Sequence, residues 1–191
     1  MPQMDKNEFA AIAIKHASKI APAYGAKPAE IADYLLALAQ VESGLDSDAR
    51  NKNSTARGVL QMLICTQREC EKKRAKVAFA PAMFSCKVYK TSTVKESDDR
   101  VLNDPDYAIM LSCYELCYQY KRYKGNIEKA VHAYNQGSYP GGNINEGGKY
   151  TAKVMKNLGK NPDFDYASLT SQQIESTRTF GDTQVTYKEF Y

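Results

Sequence analysis

The chain has 191 residues, of which 43% are hydrophobic and 25% charged, and its formal net charge is +4. This balance excludes a disordered chain and a membrane-spanning one, because enough apolar residues are present for a core and no apolar run reaches transmembrane length. The mildly basic surface suits an anionic partner such as a cell-wall polymer, and it is too diffuse to indicate nucleic acid. We therefore expect one globular domain with no nucleic-acid or membrane partner.

The N-terminal segment has the signals of a helix. Asp5 and Glu8 form a capping box, and the apolar residues after them repeat with helical spacing as far as Pro22. His16 is expected to be a partly buried structural histidine on this helix. The apolar stretch ends at Lys15 and has helical periodicity, so it is predicted to be folded structure and not a signal peptide.

A second helix is predicted from Pro28, a favoured first-turn residue, to Ser43, with Gly44 as its C-terminal cap. Residues 45–57 are polar and read as a loop. Residues 58–77 are predicted to turn helical again, with their charge run on a solvated face.

A loop-rich insert without a sustained period is predicted at about residues 63–102. It holds three of the five cysteines of the chain, which are Cys65, Cys70, Cys86, Cys113 and Cys117. Reduced thiols, buried as small hydrophobes, are their expected state, with disulfides formed after export or a zinc site as alternatives. No CxxC pair or His-bearing ligand spacing favours zinc, so no metal or cofactor is predicted.

Three helices are predicted in the second half of the chain, at residues 104–125, 126–137 and 150–159, with a glycine-rich loop at 138–149. The tyrosine stripe on the first of them is predicted to be core. Beyond residue 162 the pattern weakens to a short helix at 168–180 and a strand or extended arm at 183–191. The predicted architecture is a mainly α domain, residues 1–162, with a C-terminal extension, residues 163–191, that either packs on the domain or docks onto a partner.

One glutamate interrupts the apolar face of the second predicted helix. Glu42 follows Ile31, Leu35 and Leu38 at helical spacing and so shares their side. Burial raises the pKa of a carboxyl group, and the negative C-terminal end of a helix acts in the same direction. Both effects favour a protonated carboxyl near neutral pH, which is the condition for a general acid. The alternative is a glutamate that reaches solvent or pairs with an arginine of the following loop.

Three short motifs stand in order along the chain, "VESG" at Glu42, "ARGVLQM" after it and "AYNQGS" far downstream. This set resembles the goose-type-lysozyme-like lytic transglycosylase family over about residues 28–158. The family motifs run Glu-Ser, Gly-Leu-Met-Gln, Ala-Tyr-Asn-Ala-Gly and a late tyrosine. The chain departs from them at Val59-Leu60 and at Gln136. The resemblance implies a lysozyme-like (goose-type or SLT) helical domain.

The resemblance also implies the site residues. Glu42 would be the catalytic acid and base, and Ser43 would support it by hydrogen bonding. The other implied residues line the sugar groove or bracket the glutamate and the reacting sugar, and they are Gly58, Leu60, Gln61, Tyr134, Asn135 and Tyr150.

The implied reaction is cleavage of peptidoglycan between N-acetylmuramic acid and N-acetylglucosamine with formation of a 1,6-anhydro ring. A hydrolytic muramidase that uses Asp46 or Asp48 to activate water is one alternative. A non-catalytic wall-binding or virion structural module is another. Synthesis in the cytoplasm without a signal peptide makes a bacteriophage origin, as endolysin or virion enzyme, the preferred hypothesis, with a specialised secretion system next. Phage virion or secretion-system proteins are then expected partners besides the glycan strands.

Overall fold

The computed structural model describes residues 3–71, 101–136, 144–161, 163–173, 178–180 and 183–185. Its helices are α1 (Lys6–Ile20), α2 (Pro28–Glu42), α3 (Ile64–Glu69), α4 (Pro105–Arg122), α5 (Ile127–Gln136), α6 (Ile144–Leu158) and α7 (Tyr166–Gln173), with a 3-10 turn at Ala21–Tyr24. Antiparallel hairpins are formed by β1 (Ala56–Arg57) with β2 (Met62–Leu63) and by β3 (Arg178–Phe180) with β4 (Thr183–Val185). The described part of the chain is therefore mainly α, as predicted.

Helix α2 is the central helix of the core. It packs against α1, α4 and α6. Its buried residues surround the helix axis, which is typical of a helix enclosed on all sides, and they are Ile31, Ala32, Tyr34, Leu35, Leu36, Ala37, Leu38 and Ala39. Because the middle of the helix is enclosed, its last residue, Glu42, lies at the end of this core and is partly buried.

A buried polar cluster joins α1 to α4. Asp106 lies in the first turn of α4 and is 1% exposed. One of its carboxylate oxygens accepts from Lys15 Nζ, and the other lies 2.6 Å from His16 Nε2. Burial lowers the pKa of His16. Burial acts to raise the pKa of Asp106, but His16 and Lys15 together hold this pKa far below its usual range. The neutral imidazole therefore donates from Nε2 to the ionised carboxylate. His16 has a structural role in this cluster, and at 5% exposed it is more deeply buried than the sequence predicted.

The segment predicted to be helical from residue 58 begins instead as a β-hairpin, in which Arg57 pairs with Met62. Gly58 and Gln61 have positive φ angles of 76° and 46°. An α-helix cannot include such left-handed residues, so α3 begins only at Ile64. The buried apolar residues of the turn are spaced as they would be in a helix, which explains why the sequence predicted a helix from residue 58.

Gly58 is also a point of close approach. A Cβ atom at this position would lie 2.7 Å from Val101 Cγ1 and 3.1 Å from the Val101 carbonyl oxygen. We expect Gly58→Ala to lower the free energy of unfolding by roughly 2–3 kcal/mol, because strain at positive φ adds to overpacking. Urea unfolding measures this change.

Gly148→Ala is the matched control, since no atom lies within 4 Å of a Cβ on Gly148 in α6. A gain of up to about 1 kcal/mol is expected there. Equal stability of the two variants would contradict the close approach at Gly58.

The C-terminal predictions need two corrections. Helix α6 begins at Ile144, inside the predicted glycine-rich loop, because packing against α2 and α5 overrides the low helix propensity of glycine. Residues 178–180, predicted as the end of a helix, form strand β3, whereas β4 lies in the predicted strand.

Part of the C-terminal extension contacts the domain. Helix α7 lies against α1, and the Tyr166 hydroxyl donates to the Asp33 carboxylate of α2. Just before the extension, Gln40 Nε2 donates to Asn161 Oδ1 at 2.8 Å. Residues 163–173 of the extension are thus in contact with the helical core.

Most of the predicted insert, including Cys86, lies outside the described residues. Cys70, Cys113 and Cys117 are buried and Cys65 is exposed, and these four have free thiols. Within the described ranges, no group of His, Cys, Asp and Glu is arranged to hold a metal ion. No helix in the same ranges is both long and apolar enough to cross a membrane.

Candidate active site

A cleft of about 260 Å³ opens at the C-terminal end of α2. Glu42 lies in it. Asn51, Ser54, Ala56, Gln61, Met62 and Leu63 come from the hairpin and the loop before it, and the remaining lining residues are Thr66 of α3, Glu115 of α4, and Tyr134 and Asn135 of α5. The cleft therefore brings together Glu42 with three more of the predicted site residues, Gln61, Tyr134 and Asn135.

Among the residues that the structure describes, the Tyr150 hydroxyl of α6 donates a hydrogen bond to Glu42 Oε1. Burial raises the pKa of Glu42 from 4.5 to about 7, and the Tyr150 hydrogen bond acts against this rise because it stabilises the ionised form. Burial and the neighbouring carboxyl also raise the pKa of Tyr150. The tyrosine therefore remains a donor, and Glu42 titrates near neutral pH.

Tyr134 joins the three walls of the cleft. Its hydroxyl donates to the Leu60 carbonyl oxygen at 3.1 Å and lies 3.1 Å from Ser112 Oγ of α4. Burial raises its pKa, and the charge of Glu42 acts in the same direction. Tyr134 therefore stays protonated, and its hydroxyl group connects α5 to the hairpin turn and to α4.

A family model described as Transglycosylase SLT domain matches residues 19–158. The chain belongs to this family. The match runs from the end of α1, through Glu42, to the end of α6, so it includes every residue of the predicted site. The lysozyme-like, mainly α fold is confirmed by this membership, which also supports a glycan-cleaving enzyme that acts on peptidoglycan. Searches of curated proteins and of solved structures found no match.

The hydrogen bond predicted from Ser43 to Glu42 is not present in the described part of the SLT domain. The Ser43 hydroxyl lies 2.7 Å from the Val59 carbonyl oxygen and 3.3 Å from that of Ala39. Both acceptors are backbone carbonyl groups, one in the hairpin turn and one in the last turn of α2. Ser43 therefore links the end of α2 to the turn instead of orienting the carboxyl.

The residues of the β1–β2 hairpin turn differ in whether they line the cleft. Gln61 lines the cleft, and its Nε2 donates to the carbonyl oxygens of Ala49 at 3.1 Å and Gly58 at 3.0 Å. Leu60 is buried, and it contributes its carbonyl oxygen, which accepts from Tyr134. Gly58 faces Val101 and not the cleft. The prediction that all three line the sugar groove therefore needs correction for Gly58 and Leu60.

The carboxylates beyond Glu42 also differ from expectation. Asp46 Oδ1 accepts from the Asp48 backbone N–H at 2.9 Å in an Asx turn, and neither residue lines the cleft. Glu115 of α4 does line it, although it is only 5% exposed. Sequence reasoning missed Glu115. The signal was present, because Glu115 stands four residues after Leu111 of the stripe predicted to be core, as Glu42 stands four after Leu38.

Proposed function

We propose that this SLT domain is a lytic transglycosylase that cleaves peptidoglycan between N-acetylmuramic acid and N-acetylglucosamine and leaves 1,6-anhydro-muramic ends. The observation that carries the proposal is a cleft-lining carboxyl with a pKa of about 7, Glu42, hydrogen-bonded by Tyr150. A carboxyl poised near neutral pH serves as an acid in one step and as a base in the next.

In the first step protonated Glu42 gives its proton to the glycosidic oxygen, and the bond to C1 of the muramic sugar breaks. The substrate's own acetamido group stabilises the positive charge at C1. Tyr150 donates to the carboxylate that forms, which favours the ionised product of this proton transfer. The carboxylate then takes the proton of the C6 hydroxyl as that oxygen closes onto C1, and Glu42 is restored as an acid.

The walls of the cleft position the sugar for these steps. Gln61 and Tyr134 are held by backbone carbonyl groups of the hairpin turn and, for Gln61, of the loop before it, so their polar atoms occupy defined places. Asn135 lies beside Tyr134 on the cleft wall. Rigid placement of this kind lowers the entropic cost of reaching the reactive geometry.

Hydrolysis is the second candidate function, and one observation favours it. Glu115 supplies the cleft with a second carboxyl group, which a hydrolase needs as base or nucleophile. Asp46 and Asp48 do not lie in the cleft. A muramidase on this scaffold would therefore use Glu115 to activate water.

Mass spectrometry of muropeptides released from purified peptidoglycan separates these functions. Transglycosylation leaves anhydro-muramic ends that are lighter by one water than the reducing ends left by hydrolysis. We expect anhydro ends from the wild type and no release from Glu42→Gln. Reducing ends would favour the muramidase, and release of no fragments by the wild type would favour a binding module. Bacteriophage origin and delivery by a virion or a secretion system stay predictions from the sequence.

The Tyr150→Phe variant tests the role of Tyr150 through the pH profile. Loss of the hydroxyl removes the contact that lowers the pKa of Glu42, so this pKa rises above about 7. Activity requires the protonated acid, and we expect its alkaline decline to move to higher pH by about one unit. The profile of kcat/KM against pH measures the shift.

Tyr34→Phe is the matched control, because Tyr34 also joins α2 to α6, through a hydroxyl contact of 3.4 Å to Met155 Sδ. Its alkaline decline should match that of the wild type. A shift of the Tyr150→Phe profile toward lower pH would contradict the assignment of the hydrogen bond to the ionised form.

A further inference from the structure

The solvent side of α6 carries a row of lysines. Three stand on the helix and one in the turn that follows it, all four are exposed, and they are Lys149, Lys153, Lys156 and Lys160. Residues three and four positions apart share one side of a helix, and this row covers about 16 Å of its length. We call this surface the lysine stripe.

The opposite side of α6 fixes the direction in which the lysine stripe faces. Val154 is fully buried, Tyr150 donates to Glu42 of α2, and Met155 Sδ lies 3.4 Å from the Tyr34 hydroxyl of α2. The helix is therefore anchored on the core by this side, with the lysine stripe turned to solvent. None of the four lysines lines the cleft. The lysine stripe is thus a surface next to the cleft and separate from it.

The positive charge of the lysine stripe is not balanced from inside the molecule. None of the residues whose positions the structure describes forms an ion pair with one of these lysines. No Asp or Glu stands between Lys149 and Lys160. Like charges three and four residues apart lower helix stability, and an ordinary solvated surface mixes both signs of charge. An external polyanion would supply the counter-charge that the chain itself does not place there.

The lysine stripe also equals the whole charge excess of the chain. The sequence has 26 basic and 22 acidic residues, so the basic residues outside the lysine stripe are as many as the acidic ones. Neighbouring lysines of the lysine stripe are about 5–6 Å apart, which is less than the Debye length of about 8 Å at physiological salt. Their fields therefore add, and the lysine stripe attracts a polyanion more strongly than four separate lysines would.

The proposed substrate is such a polyanion. The peptides that branch from the muramic sugars of peptidoglycan carry free carboxylate groups, and they recur along every glycan strand. We propose that the lysine stripe binds these peptide carboxylates and holds the enzyme on the wall while Glu42 acts in the cleft. This inference rests on the proposed function and deepens it, because it gives the same polymer a second binding surface. The lysine stripe acts on retention and takes no part in breaking the bond.

Co-sedimentation with insoluble peptidoglycan, stripped of phosphate-containing polymers, tests the inference without turnover. The host is Glu42→Gln, and the stripe variant adds glutamine at all four positions of the lysine stripe. An exposed ion pair changes a binding constant by a factor of about two, so the stripe variant should bind about tenfold more weakly at low salt. At about 1 M salt, where the Debye length is about 3 Å, host and stripe variant should bind alike.

A second set of four lysines gives the matched control. It makes the same change of net charge at exposed positions in α1, at the start of α2, in the turn after α4 and in α5, namely Lys6→Gln, Lys27→Gln, Lys124→Gln and Lys129→Gln in the same host. Its affinity should stay close to that of the host. Equal weakening by the control and the stripe variant would overturn the inference, since net charge and not the lysine stripe would then set the affinity.

The chemistry of the partner is tested on modified peptidoglycan. Conversion of its carboxyl groups into neutral amides should remove the difference between host and stripe variant. A difference that survives amidation would overturn the carboxylate assignment. A difference seen only on walls that keep their phosphate-containing polymers would overturn it too, because phosphate groups would then be the partner.

The same proteins separate this inference from the proposed function. Equal affinity of host and stripe variant, together with release of anhydro ends by the wild type, would overturn the inference and leave the proposed function standing. Binding that depends on the lysine stripe, with no release of fragments by the wild type, would support the binding surface and count against the proposed function.

Discussion

Glu42→Gln is expected to lower lytic activity by about 10³-fold or more, because the amide neither donates a proton to the glycosidic oxygen nor accepts one from the C6 hydroxyl. The substitution preserves the size of the side chain in its buried site. Clearing of a peptidoglycan gel and the rate of muropeptide release measure the loss. Glu71→Gln is the control, because Glu71 is also a buried glutamate that accepts from a tyrosine hydroxyl but does not line the cleft, and this variant should clear the gel as the wild type does. Equal clearing by the Glu42 variant would end the enzyme hypothesis.

The same substitution is expected to stabilise the protein at alkaline pH. The pKa of Glu42 is about 7 in the folded state and 4.5 as its ordinary value, so the folded state binds the proton more tightly. The free energy of unfolding is therefore greatest below about pH 4.5 and declines up to about pH 7, by a total on the order of 3 kcal/mol. Glutamine does not titrate and removes this decline.

Urea unfolding at about pH 5 and about pH 8 isolates the effect as a difference between wild type and variant, since the other titrating groups are common to both. The variant should be the more stable protein at the higher pH. If it were the less stable of the two there, the raised pKa of Glu42 would be wrong.

Asp106→Asn carries the largest expected loss of stability, about 3–5 kcal/mol. Asp106 is buried and binds Lys15 and His16 at once, so a neutral amide leaves a largely buried ammonium group without its counter-charge. Thermal and urea unfolding at neutral pH measure the loss. Asp163→Asn is the control, because Asp163 is exposed, and its effect should stay within about 0.5 kcal/mol. If Asp106→Asn lowered the free energy of unfolding by as little as Asp163→Asn, the ion-pair role of the cluster would be contradicted.

The cluster of Asp106, Lys15 and His16 and the carboxyl of Glu42 have opposite effects on the pH dependence of the free energy of unfolding. The pKa values of both Asp106 and His16 lie below their ordinary values in the folded state. The unfolded state therefore binds more protons on acidification, and the stability that the cluster contributes at neutral pH falls below about pH 6.5 for His16 and below about pH 4 for Asp106. Asp106→Asn should remove the part of this acid sensitivity that belongs to the carboxylate.

Local signals were sufficient for the helices that carry the site. Asp5 and Asp104 accept from backbone N–H groups of the first turns that follow them, as their positions predict. Asn126 does the same for α5. The position of Glu42 on the apolar face of its helix was likewise readable, because it follows from its spacing to Ile31, Leu35 and Leu38. These features depend on residues within a few positions of one another.

Features that depend on distant residues were not readable in the same way. The turn of the β1–β2 hairpin needs left-handed residues and a close approach to Val101, and neither leaves a periodic signal. The partner of Ser43 is a carbonyl group in that same turn. Glu115 was missed because the stripe that it follows on its helix was predicted to be core, and only packing shows that the cleft reaches this side of α4.

The contact between Tyr150 and Glu42 joins residues that are 108 positions apart. The hydroxyl group that contacts the carboxyl of Glu42 is therefore supplied by a segment that is translated after most of the chain. A chain cut short before α6 lacks this contact.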